Sequence, residues 1–216
     1  MSRTLIVSEI FKSIQGESTR AGLPCVMVRL AGCNLRCSWC DTLYARDPAA
    51  GQPMSVADVL ARVAELGGRR VEVTGGEPLT QKACCDLLER LCEAGFETLL
   101  ETNGSQDIAP VDPRVVRIVD FKCPASGARA ANRWANVEHL TARDEVKFVI
   151  ADRGDYAFAR DAIVRYALLG RCAVILSPVD ISAAAELAAW ILHDGLDVRL
   201  GLQLHKMIWP DRDRGV

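Results

Sequence analysis

Strand-like and helix-like segments alternate along nearly the whole of this 216-residue chain, and that alternation limits the fold more than any other feature. Residues 25–31, 70–74, 97–101, 115–121, 145–150, 173–177 and 197–202 read as strands. Residues 55–66, 81–94, 156–169 and 183–193 read as helices, with apolar residues at helical spacing such as Val56, Val59, Leu60 and Val63. Ser55 and Asp58 make a weak capping box at the first of them. Such alternation predicts an α/β fold of parallel strands joined by right-handed crossovers, either an open doubly wound sheet or a barrel. No internal repeat or linker divides the chain, so residues 1–216 are expected to form one domain. Residues 122–135 carry no assigned element and suit a functional lid.

Polar residues gather just past the expected strands. Thr74 leads into Gly75-Gly76-Glu77-Pro78, Glu101 into Thr102-Asn103-Gly104, Phe121 into Lys122-Cys123-Pro124, and Leu176 into Ser177-Pro178-Val179-Asp180. In a parallel barrel these positions share the C-terminal face, where active sites are built.

Composition removes several classes of function. Lys plus Arg is 26 and Asp plus Glu is 28, a formal net charge of −2, so no basic surplus argues for nucleic acid. No polybasic run and no apolar run of spanning length argues for a membrane. Arg3 and Glu9 interrupt the N-terminus before a signal-peptide core could form, and a cytoplasmic protein is expected. Nine cysteines, an odd count in such a chain, argue for metal or redox chemistry rather than a disulfide framework.

Three of those cysteines form one loop, Gly32-Cys33-Asn34-Leu35-Arg36-Cys37-Ser38-Trp39-Cys40-Asp41-Thr42, with C-x3-C-x2-C spacing. Thiolates suit zinc and iron–sulfur clusters. A structural zinc site wants four ligands, and the next cysteine, Cys84, falls on the core face of a helix. Three thiolates on a 4Fe–4S cluster leave one iron open to bind and cleave a ligand. A zinc site completed by a distant histidine stays open on the residues alone.

The loop, with an aromatic residue before its last cysteine, resembles the signature of the radical S-adenosylmethionine superfamily. Gly75-Gly76-Glu77-Pro78 resembles that superfamily's glycine-rich motif, where close backbone approach lets N–H and C=O groups meet the amino end of S-adenosylmethionine. Phe11-Lys12-Ser13-Ile14-Gln15-Gly16-Glu17-Ser18, Arg29, Cys40-Asp41-Thr42 and Gln203-Leu204-His205-Lys206 together resemble the 7-carboxy-7-deazaguanine synthase family of queuosine and deazapurine biosynthesis.

That resemblance implies an incomplete (β/α) barrel of the radical S-adenosylmethionine type, assembled as a homodimer. It implies conversion of 6-carboxy-5,6,7,8-tetrahydropterin to 7-carboxy-7-deazaguanine with loss of ammonia, begun by hydrogen abstraction at C6 and followed by ring contraction. The cofactors implied are a 4Fe–4S cluster, S-adenosylmethionine and Mg²⁺, with an external electron donor of the flavodoxin or ferredoxin type. Cys33, Cys37 and Cys40 would hold the cluster and Thr42 the Mg²⁺. Ile14, Gln15, Gly16, Arg29 and Thr74 would touch the pterin. Ser38, Trp39, Cys40, Gly76, Asp120, Phe121, Lys122 and Ser177 would surround S-adenosylmethionine.

The residues support part of this without the likeness. Arg29 lies in a strand expected to be buried on both faces, so its guanidinium needs a carboxylate. A substrate carboxylate suits the bidentate fork, and an internal partner such as Glu101 suits it nearly as well. Gln15 offers a donor and an acceptor to a pterin edge, or simply faces solvent. Thr42 is either a hard ligand for Mg²⁺ or a capping threonine. Cys25, Cys84, Cys92, Cys123 and Cys172 read as core thiols, His139 and His193 as surface residues, and Trp190 as a core anchor.

Two rival functions remain on the sequence: a glycyl-radical-enzyme activase, which shares the style of the cysteine loop, and a non-catalytic iron–sulfur or metal-binding module. The tail beyond His205, Met207-Ile208-Trp209-Pro210-Asp211-Arg212-Asp213-Arg214-Gly215-Val216, is expected to fold across the barrel mouth because Ile208-Trp209 is too apolar for water. A frayed terminus is the alternative.

Overall fold

The structure, a computed structural model, describes residues 4–216. These form one nine-stranded sheet in the order β3-β1-β2-β4-β5-β6-β7-β8-β9. The strands are β1 (Thr4–Ile14), β2 (Pro24–Leu30), β3 (Gln52–Ser55), β4 (Arg70–Gly75), β5 (Glu97–Thr102), β6 (Val116–Asp120), β7 (Glu145–Ile150), β8 (Ala173–Pro178) and β9 (Arg199–Leu200). From β2 to β9 every pairing is parallel. The edges β3 and β9 do not pair, so the barrel is open, as expected of an incomplete (β/α) barrel.

The expectation of parallel strands throughout needs one correction. Residues 4–14, given no element from the sequence, are the eleven-residue strand β1, which pairs antiparallel with both β2 and β3. Its polar Ser8, Glu9, Lys12 and Ser13 hid it, because an edge hairpin is not buried on both faces and its residues need not be apolar.

Four helices cover the outer face: α1 (Val56–Leu66), α2 (Cys84–Glu93), α3 (Arg153–Arg165) and α4 (Ala184–Asp194). Ser55 and Asp58 do form a reciprocal capping box on α1, a device worth about 1 kcal/mol. Helix α1 buries Val56, Val59 and Val63, and α2 buries Cys84, Leu87, Leu88 and Leu91 against Val71 and Val73 of β4. Helix α2 begins three residues later than its periodicity suggests, because Gln81 is extended (φ −94°, ψ 112°) after the Pro78–Thr80 turn, with its side chain bonded to Ile6 and Ala31 backbone groups. Helix α3 begins earlier, capped by Asp152. The last strand shrinks to two residues.

Residues 122–135 are ordered by short 3₁₀ turns at Pro124–Ser126, Arg129–Ala131 and Trp134–His139. Trp134 is stacked between Phe121 and Tyr166, at 4.5 and 4.4 Å between ring centroids. Inside the barrel, Leu99, Val116 and Ile118 form a small apolar floor. Below it Arg20 pairs with Glu97 and Glu145 at the starts of β5 and β7, which ties the segment after β1 to the bottom of the barrel. No helix of the described residues is long and apolar enough to cross a membrane.

Candidate active site

The cysteine loop leaves the end of β2 and is fastened by its neighbours. Gly32 N donates to Ala45 O at 2.8 Å, and Gly32 O accepts from Glu77 N at 2.8 Å. Asn34 accepts from the Asn103 amide at 3.1 Å and donates to Ser105 at 2.8 Å. Ser38 N donates to Ser126 O at 3.1 Å. The loops after β4, β5 and β6 therefore all hold it.

Gly75 and Gly76 explain the glycine motif physically. Gly75 has φ +143°, and a Cβ on it would strike the Leu30 backbone. A Cβ on Gly76 would strike Gly32. Glu77 behind them is fully buried and accepts from Leu79 N, Thr102 Oγ1 and Asn103 N at 3.0, 2.8 and 2.7 Å. Burial raises its pKa against the pull of those three donors.

A cavity of about 480 Å³ opens at the C-terminal ends of the strands. Cys33, Cys37, Cys40, Trp39 and Thr42 line one side of it, and Thr42 Oγ1 lies 3.8 Å from Cys40 Sγ. Ile14, Gln15, Gly16, Arg29 and Thr74 line it too, as do Gly76, Asp120 and Lys122. Ser38, Phe121 and Ser177 do not: Ser38 hydrogen-bonds to the 124–126 turn, Phe121 is in the outer core, and Ser177 is buried beside Gly201.

Arg29 finds a carboxylate, and it is neither of the two considered from sequence. Its Nε donates to Glu9 Oε1 at 3.0 Å, and the Tyr44 hydroxyl donates to the same oxygen at 2.6 Å. Glu101 is engaged elsewhere, since Lys147 Nζ lies 2.5 Å from both Glu101 Oε1 and Glu17 Oε2, and 3.6 Å from Asp120. Burial works to lower the pKa of Lys147, but Glu101, Glu17 and Asp120 hold it well above the usual lysine value. Burial likewise works to raise Glu17, and Lys147 with His205 overrides it and keeps the carboxylate ionised. Lys122 donates to Asp120 Oδ2 at 2.9 Å, while Asp120 Oδ1 is buried with no hydrogen-bond partner among the described residues.

Gln15 does not face solvent. It is buried, its carbonyl accepting from Glu17 N and Ser18 N and its amide donating to Glu72 at 3.0 Å. Among the other cysteines, Cys25, Cys84, Cys123 and Cys172 are buried, but Cys92 is only half-buried.

The tail reaches the cavity. A short helix α5 (Leu204–Ile208) is tied down by Leu204 N to Gly16 O at 3.1 Å and by Lys206 to Asp41 at 3.2 Å. Beyond it Trp209, Pro210, Arg212, Asp213 and Val216 line the cavity, and the Arg214 guanidinium stacks 4.2 Å from the Tyr44 ring centroid. His205 Nδ1 lies 3.7 Å from Glu17.

Sequence reasoning passed over Glu9, Glu17, Tyr44, Glu72 and Lys147 as site residues. A signal existed for two of them. Glu72 and Lys147 interrupt otherwise apolar strands, as Arg29 does, and the same burial argument applies.

Comparison with known proteins agrees with this geometry. The Radical SAM superfamily model matches residues 27–120. A protein named 7-carboxy-7-deazaguanine synthase from Koribacter versatilis is 45% identical, over 97% of this chain and 99% of its own. The chain belongs to the 7-carboxy-7-deazaguanine synthase family. A second such synthase, from Chlorobaculum tepidum, is 45% identical over 98% of this chain and 97% of its own. The fold matches the crystal structure of QueE from Escherichia coli with a TM-score of 0.77, covering 93% of this chain and 94% of that one at 22% identity. Membership makes this a radical S-adenosylmethionine enzyme, whose cofactors include a 4Fe–4S cluster and S-adenosylmethionine.

Proposed function

We propose that this protein converts 6-carboxy-5,6,7,8-tetrahydropterin to 7-carboxy-7-deazaguanine with loss of ammonia. The observation that carries the reading is the meeting, in one cavity, of three loop cysteines with a half-partnered, partly buried arginine and a carboxylate–lysine floor. An electron-transfer module needs no such polar cavity. An activase would need an open groove for a polypeptide, whereas here Trp209, Arg212 and Val216 of the tail line the cavity.

The residues fit the implied cofactors. Cys33, Cys37 and Cys40 converge on one side of the cavity, and no other cysteine lines it among the described residues, as an open-iron cluster requires. When bound, the cluster supplies the electron that cleaves S-adenosylmethionine, and the resulting radical takes hydrogen from the substrate. Gly76 gives backbone approach for the amino end of that cofactor, and the unpartnered Asp120 Oδ1 is an acceptor for its ammonium or hydroxyl donors. Potential ligand atoms of two carboxylates, Glu17 and Asp41, and of the His205 imidazole lie within 4.8 Å of one another, and Mg²⁺ prefers the oxygens. Glu17 is committed to Lys147 and Gln203, and Asp41 to Lys206, and Thr42 would hold the ion.

Arg29 would take the substrate carboxylate through its two Nη atoms, with Nε anchored on Glu9. Ile14, Gln15, Gly16 and Thr74 would pack the heterocycle, and the tail would exclude water. A homodimer reduced by a flavodoxin- or ferredoxin-type donor is consistent with the family resemblance. The test is anaerobic turnover with substrate deuterated at C6. Deuterium in 5′-deoxyadenosine supports the reading, and its absence during turnover rejects it.

A further inference from the structure

The floor of the cavity holds a carboxyl group that the reaction as described does not use. Glu72 lies mid-way along β4, its neighbours Val71 and Val73 in the outer core and its own side chain inside the barrel, 1% exposed. One oxygen, Oε2, accepts from Gln15 Nε2 at 3.0 Å. The direction of that bond is fixed, because the Gln15 carbonyl is occupied by Glu17 N at 2.9 Å and Ser18 N at 2.8 Å. The Gln15 amide cannot flip without losing both. No described residue hydrogen-bonds to the second oxygen, Oε1, and Glu72 lines the cavity.

The charges around Glu72 leave it no cation. Glu101 from β5 and Glu17 from the loop after β1 both face it, and Lys147 from β7 is spent on those two. Beneath it, Arg70 is tied to Glu97 at 2.6 Å, and β2 contributes the neutral Cys25 and Met27. One buried and two part-buried carboxyl groups around one ammonium cannot all be ionised cheaply. Burial, then Glu101, push the pKa of Glu72 up to about 8.

We propose that Glu72 serves as a neutral acid whose Oε1–H donates a hydrogen bond to an acceptor on the pyrimidinone ring of the substrate, making it a specificity-determining residue. The proposal rests on the reading of this cavity as the pterin site. It gives the floor a donor where an ionised glutamate would offer an acceptor, so it selects rings that present a carbonyl or ring nitrogen downward.

The discriminating experiment uses reconstituted holoenzyme carrying Glu72→Gln or Glu72→Leu, with steady-state kinetics on 6-carboxytetrahydropterin from about pH 6 to about pH 9. Gln can accept from Gln15 and donate from its amide, so Glu72→Gln keeps the wild-type KM near neutrality. Glu72→Leu raises KM by about tenfold, the value of one lost hydrogen bond, with cluster content and S-adenosylmethionine affinity unchanged. Wild-type KM climbs as pH passes about 8, and Glu72→Gln shows no such climb. A Glu72→Gln enzyme whose KM is as damaged as that of Glu72→Leu, or whose pH profile matches wild type, overturns the proposal while wild-type turnover leaves the functional reading standing. Should Glu72→Leu fail to fold, the Glu72→Gln profile decides alone. A wild type that does not turn over the pterin overturns the functional reading and this proposal together.

Discussion

Glu9 Oε1 sits 3.0 Å from Arg29 Nε, and neither Nη of that arginine has a hydrogen-bond partner among the described residues. The guanidinium is thus anchored at one corner and open at the two ends that suit a carboxylate. Tyr44 stiffens the anchor by donating to the same oxygen, and Arg214 of the tail stacks on Tyr44. The clamp and the tail share one support.

Arg29→Lys is therefore expected to weaken binding of 6-carboxytetrahydropterin by roughly ten- to a hundredfold, about 1.5–3 kcal/mol for a lost charge-assisted hydrogen bond. The same variant should bind tetrahydropterin lacking the carboxylate as wild type does. Anaerobic binding titrations with both compounds check this. Unchanged affinity for the carboxylated ligand removes the clamp.

Thr42 lies beside the last cluster cysteine and follows Asp41 in the chain. Turnover should rise with added Mg²⁺, and Thr42→Ala should shift the Mg²⁺ titration to higher concentration. Coincident titration curves for wild type and variant would mean that Thr42 is no ligand.

The tail is held by Lys206 to Asp41 and by Arg214 on Tyr44, and its Trp209 and Val216 line the cavity. Deleting residues 207–216 should raise KM for the pterin and increase S-adenosylmethionine cleavage uncoupled from product. Arg214→Ala should cost less, about 0.5–1 kcal/mol for an exposed cation–π contact. Wild-type KM and coupling in the truncated enzyme would show that the tail is only a terminus.

Glu72 also predicts a stability change with pH. Its pKa rises from the ordinary 4.5 to about 8 on folding, so the unfolded chain loses the proton first. Stability should fall as pH climbs from about 4.5 to about 8 and stay low above that. Glu72→Gln has no such group, so its melting temperature should exceed that of wild type by a margin that widens across this range. A constant margin in paired melting curves would mean that Glu72 is not a buried acid.

Much of the architecture was legible because buried parallel strands announce themselves as apolar runs. Residues 25–31 and 173–177 are examples, and each strand end carried its polar loop to the same mouth. The antiparallel β1 was not legible, since its one-sided burial leaves Ser8, Glu9 and Lys12 in the strand. That omission also hid the partner of Arg29, which comes from β1 and meets it through the β1–β2 register. The cysteine loop and glycine motif were readable because their chemistry depends on local spacing. Glu17, Glu101 and Lys147 were not, because their contacts span up to 130 residues and depend on how the open sheet brings the loop after β1 together with β5 and β7.

The most direct test is anaerobic incubation of the reconstituted protein with 6-carboxytetrahydropterin, S-adenosylmethionine and dithionite, followed by mass spectrometry. The account predicts 7-carboxy-7-deazaguanine and ammonia in equal amounts, lost together in Cys37→Ala. Cleavage of S-adenosylmethionine by an intact cluster, with the pterin recovered unchanged, would contradict it.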